Sequence, residues 1–136
     1  MQAADFRLNC SLRVRWAEVD MQGVVFNGHY LTYVDVAITE YFREVGLSGG
    51  NYSAVRNLIE YQSAARFDDE LTLRVRTSRL GRSSMVLLTG IWRGDQLLTT
   101  SEITYVNTDL TTRTSRPLEP EVRAKILAYE VTPPEI

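Results

Sequence analysis

The chain has 136 residues, 44% hydrophobic and 24% charged, with a formal net charge of −2. That is enough length to bury one core without staples, in a composition typical of folded rather than disordered chains. The slight acidic surplus speaks against a dedicated nucleic-acid binder, and the lone Cys10 rules out an intrachain disulfide or a cysteine-built zinc site.

At the N-terminus, Met-Gln-Ala-Ala-Asp-Phe-Arg lacks the basic stretch and apolar run of a secretory signal. No segment approaches the roughly 18 apolar residues of a membrane span. A soluble, cytoplasmic protein with no membrane or nucleic-acid partner is expected, with one domain over residues 1–136 and its core between about 8 and 128. Leu12, Val14 and Trp16 alternate with Arg13 and Arg15, which predicts a strand covered on one face. The loop Ala17–Phe26 breaks the alternation and contains Gly23.

From Gly28 the period changes. Tyr30, Tyr33, Val34, Ala37, Ile38, Tyr41 and Val45 fall at helical spacing, with Thr32, Asp35, Thr39, Glu40, Arg43 and Glu44 opposite. Val36 and Phe42 widen the apolar face. Asn27 is suited to cap the start and Gly46, followed by Leu47, to end the helix in a left-handed turn. About 18 residues at 1.5 Å each make it roughly 27 Å long.

Ser48-Gly49-Gly50-Asn51 reads as a turn, residues 51–57 as a short helical turn, and 58–67 as a strand. Leu71, Leu73, Val75 and Thr77 alternate with Thr72, Arg74 and Arg76, a stronger strand pattern. Residues 84–93 and 96–107 form a hairpin across Gly94-Asp95. Glu119-Pro120-Glu121 opens a last helix carrying Val122, Ile126 and Tyr129, since proline is tolerated at a first helical position. The Thr-Pro-Pro tail is expected to fray. Sequential strands with tight links make an antiparallel sheet, and one long helix with a wide apolar stripe must bury it on that sheet's concave face. The fold class is α+β.

Asp20 lies between the first strand and the long helix, three residues before Gly23. It can serve as a turn-forming aspartate, the usual role beside glycine, or as a base or nucleophile. For the second role, the apolar run Val24-Val25-Phe26 would shield the carboxylate from water. The backbone N–H groups of Asn27, Gly28 and His29, at a helix start, could hold an oxyanion. His29 is the only histidine, so it cannot build a metal cluster. It reads as a first-turn residue or as a substrate or partner contact. Arg74, Arg76, Arg79 and Arg82 follow one another with no acid between them. Arg74 and Arg76 read as a solvated strand face, whereas Arg82, beside the hydroxyls of Ser83 and Ser84, suits a phosphate. Tyr30, Tyr33 and Tyr41 read as core residues.

The run R-V-R-W-A-E-V-D-M-Q-G-V-V-F-N-G-H-Y-L-T-Y-V-D resembles the acyl-CoA thioesterases of the hotdog fold, the 4-hydroxybenzoyl-CoA thioesterase family, with its Asp-x-x-Gly-(Val/Ile)-Val motif. F-D-D-E-L-T-L-R-V-R and R-L-G-R-S-S extend the likeness. The resemblance implies a sheet of about five strands wrapped around one helix. It also implies a substrate that itself contains coenzyme A, with no separate cofactor and no metal, and a homodimer or homotetramer with the substrate across a subunit boundary. Asp20 takes the place of the family's catalytic carboxylate, Gly23 that of the motif glycine, and Asn27 and Gly28 that of the helix start which polarises the thioester carbonyl. Val24, Val25, His29 and Tyr30 fall within the substrate-binding segment, and Arg82 and Ser83 near positions that meet the nucleotide phosphates. Where many relatives read Tyr-His-x-(Asn/Ser)-Tyr, this chain has Phe26-Asn27-Gly28-His29-Tyr30. The expected activity is acyl-CoA hydrolysis; the rivals are a hotdog hydratase or dehydratase and a non-catalytic acyl-CoA binding protein.

Overall fold

A computed structural model of the chain describes residues 1–48 and 51–136. Gly49 and Gly50, at the centre of the turn expected over 48–51, lie outside the described residues. The elements in chain order are β1 (Leu8–Arg13), α1 (Asn27–Val45), β2 (Tyr52–Tyr61), β3 (Glu70–Leu80), β4 (Ser84–Arg93), β5 (Gln96–Asp109), β6 (Thr114–Ser115) and α2 (Pro120–Tyr129). The sheet is antiparallel, in the order β1-β3-β4-β5-β2, with the two residues of β6 paired onto the end of β5. It curls around α1, the layout expected of a hotdog fold. Among the described residues, no helix is long and apolar enough to cross a membrane.

The core forms where two periodicities meet. Every third or fourth residue of α1 turns inward, so that Tyr30, Tyr33, Val34, Ala37, Ile38, Tyr41 and Val45 are all buried. Alternate residues of β3 (Leu71, Leu73, Val75) and of β4 (Met85, Leu87, Ile91) come up to meet them. Each such side chain removed from water is worth about 1.5–3 kcal/mol. Gly46, at φ +83°, ends the helix in the left-handed turn expected of it, and the Leu47 N–H reaches back to the Phe42 carbonyl. Val36 proves exposed and Phe42 half-buried, so the apolar stripe is narrower than expected.

Several sequence expectations are corrected. The first strand is Leu8–Arg13, paired with β3 from Leu8↔Val75 to Arg13↔Glu70, and Trp16 stands exposed in a 3₁₀ turn beyond it. Residues 52–61 form β2 rather than a helical turn, while 62–67 form a loop. β2 is an edge strand with no buried residue, so it carries none of the alternation that a half-covered strand shows. It pairs with β5 from Tyr52↔Asn107 to Tyr61↔Thr99, with a bulge at Val55. The C-terminal tail does not fray: the Leu80 N–H donates to the Glu135 carbonyl (2.8 Å) and the Glu135 N–H to the Ser78 carbonyl (2.9 Å). The tail thereby continues the sheet edge past the point where β1 begins. Arg74 and Arg76 are half-buried rather than solvated, their guanidinium groups lying over the rings of Trp92 (4.7 Å) and Phe6 (5.9 Å).

Candidate active site

The segment between β1 and α1 folds into a small hairpin. The 3₁₀ turn Trp16–Glu18 redirects the chain, Val19 pairs with Val25, and the Phe26 N–H donates to the Glu18 carbonyl (3.0 Å). At the tip, the Asp20 N–H donates to the Val24 carbonyl (2.9 Å) and the Gly23 N–H to the Asp20 carbonyl (3.0 Å). Gly23 sits at φ +77°, a left-handed conformation that strains other residues even where, as here, a side chain would meet nothing within 4 Å. The returning strand is anchored to the loop before β3: Val24 bridges Arg66, and the Val25 N–H donates to the Ala65 carbonyl (2.9 Å).

Asp20 is exposed on this tip. Its Oδ1 accepts the N–H of Gln22 (2.8 Å) and, at longer range, that of Val24 (3.4 Å), the local bonding of a turn-forming aspartate. Among the described residues, Oδ2 makes no hydrogen bond. The turn role therefore occupies one oxygen and leaves the other available. The apolar run does not enclose the carboxylate as expected, because Val25 is turned into the core and Phe26 faces outward. An open groove of about 590 Å³ lies on the other side instead, lined by Trp16, Val19, Asp20, Met21, Gly23 and Phe67. Trp16 and Phe67 meet edge to face with centroids 4.9 Å apart, and both are substantially exposed, as is Met21. Such a cluster beside a carboxylate is the kind of surface that marks a binding site.

The helix start follows from the base of the hairpin. Its N-cap is Phe26, not Asn27, and no side chain caps it. Asn27 is the first helical residue because Phe26 is held extended by its bond to Glu18. The His29 N–H is taken by the Phe26 carbonyl (3.0 Å), which removes it from the set of N–H groups expected to be open. Among the described residues, those of Asn27 and Gly28 find no acceptor, so two donors remain at the positive end of the α1 dipole. The His29 ring is half-buried, edge-on to Phe26 at 6.3 Å. Tyr30 is buried, and its hydroxyl accepts the Ala65 N–H (2.9 Å), so it braces the loop under the hairpin.

Arg82 and Ser83 lie elsewhere. They sit in the β3–β4 turn, whose backbone is pinned by the Leu118 N–H on the Arg82 carbonyl (2.8 Å) and by the Arg123 guanidinium on the Gly81 carbonyl. The hairpin abuts the start of β3, so the 11 residues of that strand separate the two places by about 35 Å. One subunit does not bring Asp20 and Arg82 together.

Sequence reasoning passed over Glu18. Only 3% exposed, its carboxylate accepts the Arg15 N–H (2.8 Å), two bonds from the Arg15 guanidinium (3.1 and 2.7 Å) and the Tyr33 hydroxyl of α1 (2.8 Å). Burial works against its charge, but these donors together outweigh it and hold the carboxyl below its usual range. The available signal was the Arg15-x-x-Glu18 spacing, that of a capping box, immediately before Asp20.

Residues 22–100 match the family model of the thioesterase superfamily. Among solved structures, the chain is similar to a thioesterase from Thermus thermophilus complexed with coenzyme A and zinc, at 25% identity over 93% of this chain and 96% of that one, with a TM-score of 0.86. It is similar to a probable thioesterase from Escherichia coli at 25% identity, over 91% and 99% of the two chains (TM-score 0.77). A 1,4-dihydroxy-2-naphthoyl-CoA thioesterase from Synechocystis shares the fold at 20% identity, over 87% and 93% (TM-score 0.78). No curated protein sequence matches the chain.

Proposed function

The chain belongs to the thioesterase superfamily and is a thioester hydrolase, and from that premise we propose that it cleaves acyl-CoA esters to a free acid and CoA. The observation that carries this reading is the pairing of an available Asp20 oxygen, beside an apolar groove, with two unpartnered N–H groups at a helix start. The thioester carbonyl accepts hydrogen bonds from Asn27 and Gly28, where negative charge develops as the carbonyl carbon becomes tetrahedral. Asp20 either takes a proton from water, which then attacks, or attacks directly to give an anhydride that water opens. In both routes the CoA sulfur leaves with the bonding electrons. The groove of Trp16, Met21 and Phe67 suits an apolar acyl group.

The CoA portion crosses a subunit boundary in this reading. β2 is an open edge whose exposed residues include Val55, Leu58 and Tyr61. Its Tyr61 end lies by the helix start, where the Tyr61 hydroxyl reaches the Asn27 carbonyl (3.5 Å), and its Tyr52 end lies by Asn107, whose N–H donates to the Ser83 carbonyl. Two copies joined antiparallel through β2 therefore set the Asp20 end of one beside the Arg82 end of the other. That arrangement spans the gap of about 35 Å and gives Arg82 and Ser83 a phosphate to meet.

The test is thiol release from a panel of acyl-CoA esters by the parent and by Asp20→Asn. The variant should lose about 10²–10⁴ in kcat while remaining folded. A loss below tenfold would overturn the role of Asp20, and alkene hydration without thiol release would overturn the reaction.

A further inference from the structure

Glu18 takes no part in the chemistry proposed for Asp20, yet it joins the start of the hairpin to its base and to α1. Its carboxylate binds the Arg15 backbone and guanidinium and, through Tyr33, the second turn of α1. Its carbonyl holds the Phe26 N–H, the residue that caps the helix whose first N–H groups are open. Asp20 follows two residues later. The returning strand of the hairpin has separate anchors at Ala65 and Arg66, whereas the outgoing strand, which bears Asp20, is tied to that returning strand by the Val19–Val25 pair and the Asp20–Val24 bonds and to α1 through Glu18. A cavity of about 220 Å³, lined by Leu12, Arg13, Arg15, Glu18, Thr32, Tyr33 and Val36, lies directly against the clamp.

We infer that Glu18 is a positioning residue: its clamp on Arg15 and Tyr33 fixes the Asp20 carboxylate relative to the Asn27–Gly28 N–H groups. The inference rests on the assignment of Asp20 given above. A carboxylate buried beside a hollow, with four donors on two oxygens, resists displacement because any shift leaves charge desolvated and unpaired. The consequence for rate is steep, since a misplacement of about 1 Å at a reacting group can cost about a hundredfold.

The experiment is a double-mutant cycle on thiol release, with Glu18→Gln and Asp20→Asn singly and together. Glu18→Gln keeps acceptor oxygen but loses the charged fork to Arg15. It should lower kcat by about 10- to 100-fold with KM within about threefold of the parent. In the Asp20→Asn background the same change should cost less than about twofold, because the group it positions is already gone. Tyr33→Phe, which keeps the buried ring and removes one hydroxyl, guards against misfolding and should lower kcat about three- to tenfold with the same loss of effect in the Asp20→Asn background. An equal loss from Glu18→Gln in both backgrounds would make the clamp a general stabiliser and overturn the inference, as would a kcat within twofold of the parent. The Asp20→Asn single variant reports separately on the catalytic assignment.

Discussion

The two ends of α1 are each closed by a buried glutamate bound to a tyrosine hydroxyl from the helix, and the two glutamates are held in opposite ways. At the site end, Glu18 meets Tyr33 and also the guanidinium of Arg15. At the far end, Glu130 accepts the Tyr41 hydroxyl (2.5 Å) and the Thr77 N–H (2.7 Å) on one oxygen, while the other is buried without a partner among the described residues. Burial dominates there and pushes the Glu130 carboxyl up, against Tyr41, Thr77 and the weaker pull of Arg76 and Arg7. The Arg15 guanidinium, bonded directly to Glu18, adds to the backbone and Tyr33 donors that keep its charge, whereas Arg76 and Arg7 act on Glu130 only through space. The molecule keeps a firmly charged group beside the hairpin that bears Asp20, and a reluctantly charged one where α2 packs against α1.

The largest expected break in this comparison is in stability at neutral pH. Glu18→Gln should lower the unfolding free energy by about 2 kcal/mol, the worth of charged hydrogen bonds lost with Arg15 still exposed to water. Glu130→Gln should lower it by less than about 1 kcal/mol, because the amide oxygen can still accept from Thr77 and Tyr41. Urea unfolding of the two variants checks the ranking, and equal losses would dissolve the distinction.

A subtler contrast is in pH dependence. Glu130 titrates higher folded than unfolded, so its stabilising contribution is complete below the ordinary carboxylate value near about 4.3 and is lost as pH rises through its raised value. Glu18 titrates lower folded than unfolded, so its contribution is present above about 4.3 and is lost as pH falls through its lowered value. Melting temperatures measured from about pH 3 to 8 should show Glu130→Gln gaining on the parent as pH rises above about 4. Glu18→Gln should catch up with the parent only at the acid end. The smallest effect belongs to Tyr41→Phe, which should cost about 1 kcal/mol of stability and leave kcat unchanged. A matching drop in kcat would mean that the far end of the helix communicates with the site.

The inner face of α1 was legible because a single periodic stripe from Tyr30 to Val45 meets a single surface. β3 was legible for the same reason at period 2, and β4 through the Gly94-Asp95 hairpin that joins it to β5. β2 was not, since an uncovered edge strand has no buried side to impose alternation, and the tail was not, since its pairing is made by backbone alone. Within the site, the Asp20-x-x-Gly23 spacing foretold the tight turn, and the helix start foretold open N–H groups at Asn27 and Gly28 but wrongly added that of His29, which the Phe26 carbonyl takes. The spacing did not foretell Phe26 as the cap, because that depends on a bond from Glu18 across the hairpin. Nor did it reveal the partners of Glu18, one of which lies 15 residues away on another element. The distance between Asp20 and Arg82 is a property of strand length and became apparent only once β3 had both its ends.

The docked tail has a consequence for how many copies can join. One margin of the sheet is a patchwork, six residues of β1 followed by a break and then the Glu135 segment, with Arg7 and Arg13 along it. A broken, charged margin is a poor template for another chain. The opposite margin is β2, ten residues long. A subunit with one serviceable margin can satisfy one neighbour through it and no more, and a two-fold pairing uses both copies of that margin at once. Copies joined through β2 in the manner proposed above would close at two chains instead of running on into a fibre, and the docked Glu135 segment favours that closure.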